Sequence, residues 1–107
     1  MNTASLQAPL VRQSINAINI GSLDDFMALF TSDAVVVDGP VYDGAAAIRA
    51  WAARETFGVQ MRLDVVGEVN ADGTTVALKA SSNGGYNGPA EFAYTVRDGL
   101  IMRLEIS

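Results

Sequence analysis

Residues 59–107 read VQMRLDVVGEVNADGTTVALKASSNGGYNGPAEFAYTVRDGLIMRLEIS, and the pattern in this stretch decides the fold. Apolar residues at 61, 63 and 65 alternate with polar ones, which is the period-two pattern of a half-buried strand. Turn-forming clusters at 70–73, 83–88 and 97–99 separate three further runs of the same kind. The strands predicted after the first are Thr74–Ser82, Pro89–Val96 and Leu100–Ile106. Short turns between them predict an antiparallel meander.

The residues before this meander have a helical pattern, interrupted by one strand. A first helix is predicted over Leu6–Ile18, and it should start near Pro9, because proline is tolerated only in a first turn. Ser22 can cap a second, short helix that carries apolar residues up to position 30. The β-branched run Ala34–Asp38 predicts a strand, and Ala45–Phe57 predicts a third helix. Helices followed by an antiparallel meander indicate an α+β fold.

Three polar or aromatic residues in this half stand out from the pattern around them. Ser14 lies on the apolar stripe of the first helix, one turn before Ile18. Alternation along the first strand places Asp38 on the same face as Val36, although the residues alone favour a turn aspartate before Gly39-Pro40 whose side chain bonds local backbone. Trp51 lies on the apolar side of the third helix. A curved sheet that wraps on the three helices encloses a space between the two, and this space is the predicted ligand pocket.

Composition excludes several classes of function. The 107 residues include 50% hydrophobic types, which predicts a folded chain, and a net charge of −5, which disfavours binding to nucleic acid. Histidine and cysteine are both absent, so disulfides, imidazole bases, thiol nucleophiles and ordinary zinc sites are excluded. No residues indicate a site for another metal or for a cofactor. Apolar runs are too short for a membrane span, and no signal-peptide pattern opens the sequence, so we expect a soluble, cytoplasmic protein.

Four stretches resemble bacterial ketosteroid isomerases and the wider SnoaL-like group of the NTF2-like superfamily. They are VRQSINAINIGSLD at 11–24, ALFTSDAVVVD at 28–38, GAAAIRAW at 44–51 and RDGLI at 97–101. The resemblance implies one domain over residues 1–107 with an NTF2-like (cystatin-like) cone. In that cone three N-terminal helices pack on a curved, mostly antiparallel sheet. It also implies a homodimer and a pocket for a small hydrophobic molecule.

The resemblance places the isomerases' general base on Asp38, which would abstract a proton from carbon next to a carbonyl group. Ser14 occupies the position of the phenol that donates to the enolate oxygen in that family. Ala52 occupies the position of a tyrosine that supports this phenol. The acid of the oxyanion hole falls on the third meander strand, at Glu91, Ala90 or Phe92 according to the alignment chosen. We favour an outward Glu91, which leaves the usual oxyanion hole unmatched.

The function that we expect is binding of a small hydrophobic carbonyl compound, with cofactor-free isomerisation or cyclisation if Asp38 acts as the base. Substrate contacts are predicted from Ser14, Ile18, Trp51, Tyr94 and Met102. Among the tyrosines, Tyr42 and Tyr86 are further possible donors, with Tyr94 favoured because of its strand neighbours. The alternative function is a non-catalytic binding or dimerisation module of the same fold, which the missing donors favour.

Overall fold

Three α-helices pack against a six-stranded sheet in the computed structural model, which describes residues 5–107. The helices are α1 (Pro9–Ile20), α2 (Leu23–Met27) and α3 (Ala45–Glu55), and a short 3-10 helix (Phe57–Val59) follows α3. The strands are β1 (Phe30–Val37), β2 (Val41–Asp43), β3 (Arg62–Glu68), β4 (Thr75–Ser81), β5 (Gly88–Arg97) and β6 (Leu100–Ile106). The α+β class predicted from the sequence is confirmed.

The sheet is mixed, with the strand order β2-β1-β6-β5-β4-β3. Strands β3 to β6 form the predicted antiparallel meander, and the bounds of β4, β5 and β6 lie within one residue of those predicted. Strand β1 runs parallel to β6, and the short strand β2 pairs antiparallel with β1. The sequence did not predict β2, because three residues after Gly39-Pro40 carry too little pattern to recognise.

Local signals in the sequence explain where the first two helices start and end. Pro9 occupies the first turn of α1, where its missing N–H costs nothing. Gly21 ends α1 in the left-handed region at φ 78°, a conformation that glycine adopts without strain. The Ser22 hydroxyl then accepts a hydrogen bond from the Asp25 backbone N–H at 3.3 Å, which caps α2.

Two predictions about the first half need correction. The second helix ends at Met27, and Phe30 already belongs to β1, four residues earlier than the predicted start. Phe30 is in register with Ile101 on β6, whose N–H also bonds the Leu29 carbonyl at 2.8 Å, so pairing with a distant strand overrides the local helical pattern. The three helices are also not one N-terminal group, because β1 and β2 separate α2 from α3.

An irregularity between β5 and β6 breaks the predicted alternation. Thr95 pairs with Arg103 and Val96 with Ile101, so Met102 is an extra residue without a partner. Beyond this bulge Ile101 is buried, whereas Val96 is 43% exposed.

The hydrophobic core lies between the helices and one face of the sheet. Fully buried residues come from both layers, including Val11 and Ile15 of α1, Ile48 of α3 and Leu78 and Leu104 of the sheet. No helix among residues 5–107 is long and apolar enough to cross a membrane. Residues 1–4, on which the expectation about a signal peptide partly rests, lie outside the described residues.

Candidate functional site

One cavity of about 240 Å³ opens between α3, the segment after it and the far end of the meander. Its wall is mostly apolar. The residues that line it are Asp38, Trp51, Glu55, Thr56, Met61, Leu63, Ala80, Tyr86, Pro89, Ala90, Phe92, Ile106 and Ser107. Two of these carry carboxylates and none carries a basic group, so the cavity favours neutral ligands over anions.

Asp38 lies on the wall of this cavity, directly after β1, and is half-buried. Its backbone N–H bonds the Pro40 carbonyl at 2.9 Å, which fixes the turn that follows the strand. The Trp51 indole N–H donates to Asp38 Oδ2 at 3.0 Å. No described residue donates to the other oxygen, Oδ1. The carboxylate is therefore held at one oxygen and free to accept a proton at the other.

Trp51 reaches Asp38 because α3 packs on β1, and its side chain is only 1% exposed. The ring of Tyr42 on β2 lies against the indole, with centroids 5.9 Å apart and planes tilted by 34°. The Arg54 guanidinium lies 6.0 Å from the centroid of the Tyr42 ring, and the Arg54 side chain is itself about half exposed. Strand β2, the element that the sequence did not predict, thus supports the indole that holds Asp38.

Glu55 is the second carboxylate at the cavity, at its exposed edge. Its Oε1 accepts from Arg54 Nε at 3.1 Å, and both side chains are at least half exposed. An ion pair this exposed contributes little to stability, but it balances the charge of Glu55. Asp38, which has no basic partner among residues 5–107, is the carboxylate whose charge remains unpaired at the wall.

Ser14 and Tyr94 meet in the core behind the cavity and do not line it. Tyr94 Oη lies 2.6 Å from Ser14 Oγ, and Ser14 Oγ donates to the Val11 carbonyl at 3.1 Å. Since that bond uses the serine proton, the tyrosine is the donor of the pair. The Ser14 hydroxyl is fully buried, and its proton is used in the bond to Val11 while it accepts from Tyr94. In this arrangement it offers no proton to a ligand.

Burial raises the pKa of the Tyr94 phenol above its ordinary value of 10.0, and the bond to Ser14 opposes the shift only partly. The unfolded chain would ionise this group above about pH 10 while the folded chain keeps it neutral. The stability it contributes is thus complete below pH 10 and is lost as pH rises through the raised pKa. We expect the stability difference between wild type and Tyr94→Phe to shrink by about 1.4 kcal/mol per pH unit above about pH 10.

Denaturant unfolding of both proteins at pH 8 and at steps above pH 10 measures this difference. Every other side chain is the same in the two proteins, so the comparison isolates the Tyr94 hydroxyl. A difference that stays constant with pH would contradict the expected coupling between Tyr94 ionisation and folding.

The two remaining predicted contacts also lie away from the cavity wall. Ile18 is buried at 3% exposure, between α1 and the rest of the core. Met102 is half-buried at the bulge in β6, which displaces it from the inward alternation shared by Leu104 and Ile106. Of the six predicted site residues, the structure therefore brings Asp38 and Trp51 together at the cavity.

Several lining residues carried no clear signal in the sequence. Glu55 and Thr56 come from the end of α3, and Ser107 follows β6. Tyr86 lies in the glycine-rich connection before β5, where its hydroxyl bonds the Pro89 carbonyl. It was one of three tyrosines weighed as donors, and it is the one that lines the cavity. On β5 itself Ala90 and Phe92 face the cavity whereas Glu91 is exposed, so no acid from this strand reaches the site.

Residues 11–104 match the protein-family model described as a SnoaL-like domain. The chain belongs to the SnoaL-like family. The resemblance seen in the sequence is thereby confirmed, and it places the chain in the NTF2-like superfamily. No curated protein is significantly similar in sequence to this SnoaL-like chain.

Solved structures with the same fold include enzymes and ligand-binding proteins. A candidate polyketide cyclase from Sinorhizobium meliloti is 27% identical, with a TM-score of 0.81 and full coverage of both chains. The Δ5-3-ketosteroid isomerase from a Mycobacterium species is 24% identical over 92% of this chain and 88% of its own, with a TM-score of 0.70. A Mycobacterium tuberculosis protein in complex with estradiol-17β-hemisuccinate is 18% identical over 91% and 88%, with a TM-score of 0.74.

The described residues contain no group of three or more Asp, Glu, His or Cys placed to hold a metal ion. The chemistry available at the cavity wall is that of a carboxylate, an indole and hydroxyl groups. A carboxylate in a largely apolar cavity suits proton transfer to and from a bound neutral molecule.

Proposed function

We propose that this SnoaL-like protein binds a small hydrophobic carbonyl compound in the cavity and moves a proton on it, with Asp38 as general base. The observation that carries the proposal is the Asp38 carboxylate on an otherwise largely apolar wall, held at Oδ2 by Trp51 and without a described donor at Oδ1. The isomerase and cyclase among the structural neighbours support the same class of chemistry.

The proposed isomerisation takes two proton transfers. Asp38 Oδ1 accepts a proton from the carbon between a carbonyl group and a C=C double bond, and the electron pair left behind forms a dienolate. The carboxylic acid then returns the proton to the far carbon of the dienolate. The product is the conjugated enone, and the carboxylate is restored, so no cofactor or oxidant is consumed.

Two features of the site bear on rate and on ligand size. Among residues 5–107, no buried side chain occupies the position of the family's oxyanion donors, because Ser14 is engaged by Tyr94 and Glu91 faces outward. One missing donor costs about 3–4 kcal/mol of transition-state stabilisation, so we expect slow turnover. The cavity of about 240 Å³ is also smaller than the roughly 300–1,000 Å³ that drug-sized ligands occupy, which favours compact substrates.

The proposal predicts that purified protein converts cyclohex-3-enone, a one-ring ketone, into its conjugated isomer faster than buffer does. The absorbance of the conjugated product follows the reaction directly. The saturated ketone 2-decalone, which cannot react, should inhibit competitively if the reaction takes place in the cavity. A rate no higher than that of acetate at equal carboxylate concentration would contradict catalysis by a positioned base.

A second candidate function is a non-catalytic module that binds the same class of ligand. The buried Ser14–Tyr94 hydrogen bond favours it, since it removes the hydroxyl at the position of the family's donor from contact with ligand. This candidate predicts that 2-decalone binds but that no turnover occurs, with or without Asp38.

The homodimer and the cytoplasmic location stay predictions. On β3, Val65 is 5% exposed and the next residue, Val66, is 65% exposed, so apolar side chains occur on both faces of the sheet. A partner chain covering the outer face would bury Val66.

A further inference from the structure

The lining of the cavity ends partway along each of four neighbouring strands of the sheet. The inward-facing residues that line it are Leu63, Ala80, Phe92 and Ile106. The next inward-facing residue along each strand does not line it, and each of those four is at most 5% exposed; they are Val65, Leu78, Tyr94 and Leu104. These four buried residues, called the packed layer below, close the inner end of the cavity strand by strand. On β5 and β6 they form a register pair, Tyr94 with Leu104, directly behind the lining pair Phe92 and Ile106.

Tyr94 differs from the other three members of this layer. It has the largest side chain of the four, and it alone carries a polar atom. Its ring contacts that of Phe92, with centroids 6.3 Å apart, so it lies directly behind a residue of the cavity wall. Its hydroxyl bonds Ser14 on α1 at 2.6 Å, which ties the sheet to the opposite helix across the interior.

We infer that Tyr94 determines the depth of the cavity, and with it a ligand size limit of about two fused rings. A longer ligand must leave its additional rings outside the entrance, where they gain no burial. A smaller side chain at position 94 would open the space between Phe92 and Ser14 and extend the cavity toward α1. The ketone class of the ligand rests on the proposed function, whereas the size limit rests on the packed layer alone.

The test is a series of saturated ketones of increasing size: cyclohexanone, 2-decalone and a four-ring 3-ketosteroid. Trp51 is the single tryptophan of the chain and lines the cavity, so its fluorescence reports binding of each ketone. In wild type we expect affinity to rise from one ring to two, and to change by less than about threefold from two rings to four. In Tyr94→Ala we expect the four-ring ketone to gain at least about tenfold over 2-decalone, because more of it is buried.

Two further variants keep the test decisive. Tyr94→Phe preserves the ring and should keep the wild-type size limit, which separates volume from loss of the hydroxyl. Tyr94→Leu removes less packing than alanine and serves if the alanine variant fails to fold. A crystal structure of either smaller variant should show the cavity extended to Ser14, and this readout needs no ligand.

Each outcome bears on one claim or the other. Wild-type affinity that keeps rising to the four-ring ketone would overturn the size limit and leave Asp38 as base untouched. An unchanged cavity volume in both smaller variants would overturn it as well. If wild type binds the ketones with the expected affinities but shows no turnover, the assignment of Asp38 as base is overturned and the size limit stands. If no ketone binds wild type, both the proposed function and the size limit are overturned.

Discussion

Asp38→Asn should lower the turnover of cyclohex-3-enone by about a thousandfold, within the range of about 10² to 10⁴ that a positioned general base supplies. The asparagine amide cannot accept the proton from carbon, so the first step has no base. Its carbonyl oxygen can still accept the Trp51 N–H, which now bonds Asp38 Oδ2 at 3.0 Å. Fold and cavity should therefore persist in the variant.

Glu55→Gln provides the matched control for this substitution. Glu55 lines the same cavity, but it is exposed and already paired with Arg54 at 3.1 Å. If proximity of any carboxylate to the ligand were sufficient, both variants would lose activity. We expect Glu55→Gln to stay within about threefold of wild type. Equal losses in the two variants would contradict the assignment of Asp38 as the base.

Binding of 2-decalone separates loss of chemistry from loss of the site. Titration followed by Trp51 fluorescence should give affinities within about threefold of each other for wild type and Asp38→Asn, since the substitution changes one atom of a largely apolar wall. A thousandfold fall in turnover with preserved affinity is the result that supports general-base catalysis. Preserved turnover in Asp38→Asn would contradict Asp38 as the base, whereas binding of 2-decalone without turnover in wild type would leave the binding module as the function.

The fold was predictable to the extent that local pattern determines it. Strict alternation at residues 61–65 and strong turn signals defined the meander, and Pro9 and Ser22 marked helix starts. Where long-range pairing decides, the pattern failed: Phe30 reads as helical but pairs with Ile101, and Val41–Asp43 is recognisable as a strand only beside β1. The parallel contact between β1 and β6 has no local signature at all.

The candidate site, like the fold, was predictable where local pattern determines it and not where packing between distant elements does. The family resemblance pointed to Asp38, and the apolar stripe of α3 pointed to Trp51, but their hydrogen bond depends on how α3 packs on β1. Met102 was expected to face the pocket, and a bulge that no sequence feature announces displaced it. Tyr94 was expected to reach the ligand, whereas its bond to Ser14 keeps it in the core.

Trp51→Phe should lower turnover by about tenfold to thirtyfold while the protein stays folded. A hydrogen bond to a charged group is worth about 1.5–3 kcal/mol, and the lower part of that range applies because Asp38 is half-buried. Without the indole N–H the carboxylate can rotate, and Oδ1 no longer points reliably at the bound ketone. Tyr42→Phe keeps the ring against the indole and loses only a 3.5 Å contact with Arg54, so it should behave as wild type.

A double-mutant cycle distinguishes positioning of Asp38 from packing against the ligand. If Trp51 acts through Asp38, Trp51→Phe should cost less than about threefold in the Asp38→Asn background, because no base remains to be oriented. If Trp51 matters only as part of the wall, the loss should be the same in both backgrounds. The indole N–H gives a second readout, since the single tryptophan yields one indole NMR signal. That signal should shift on Asp38→Asn and not on Glu55→Gln, because only Asp38 accepts its hydrogen bond.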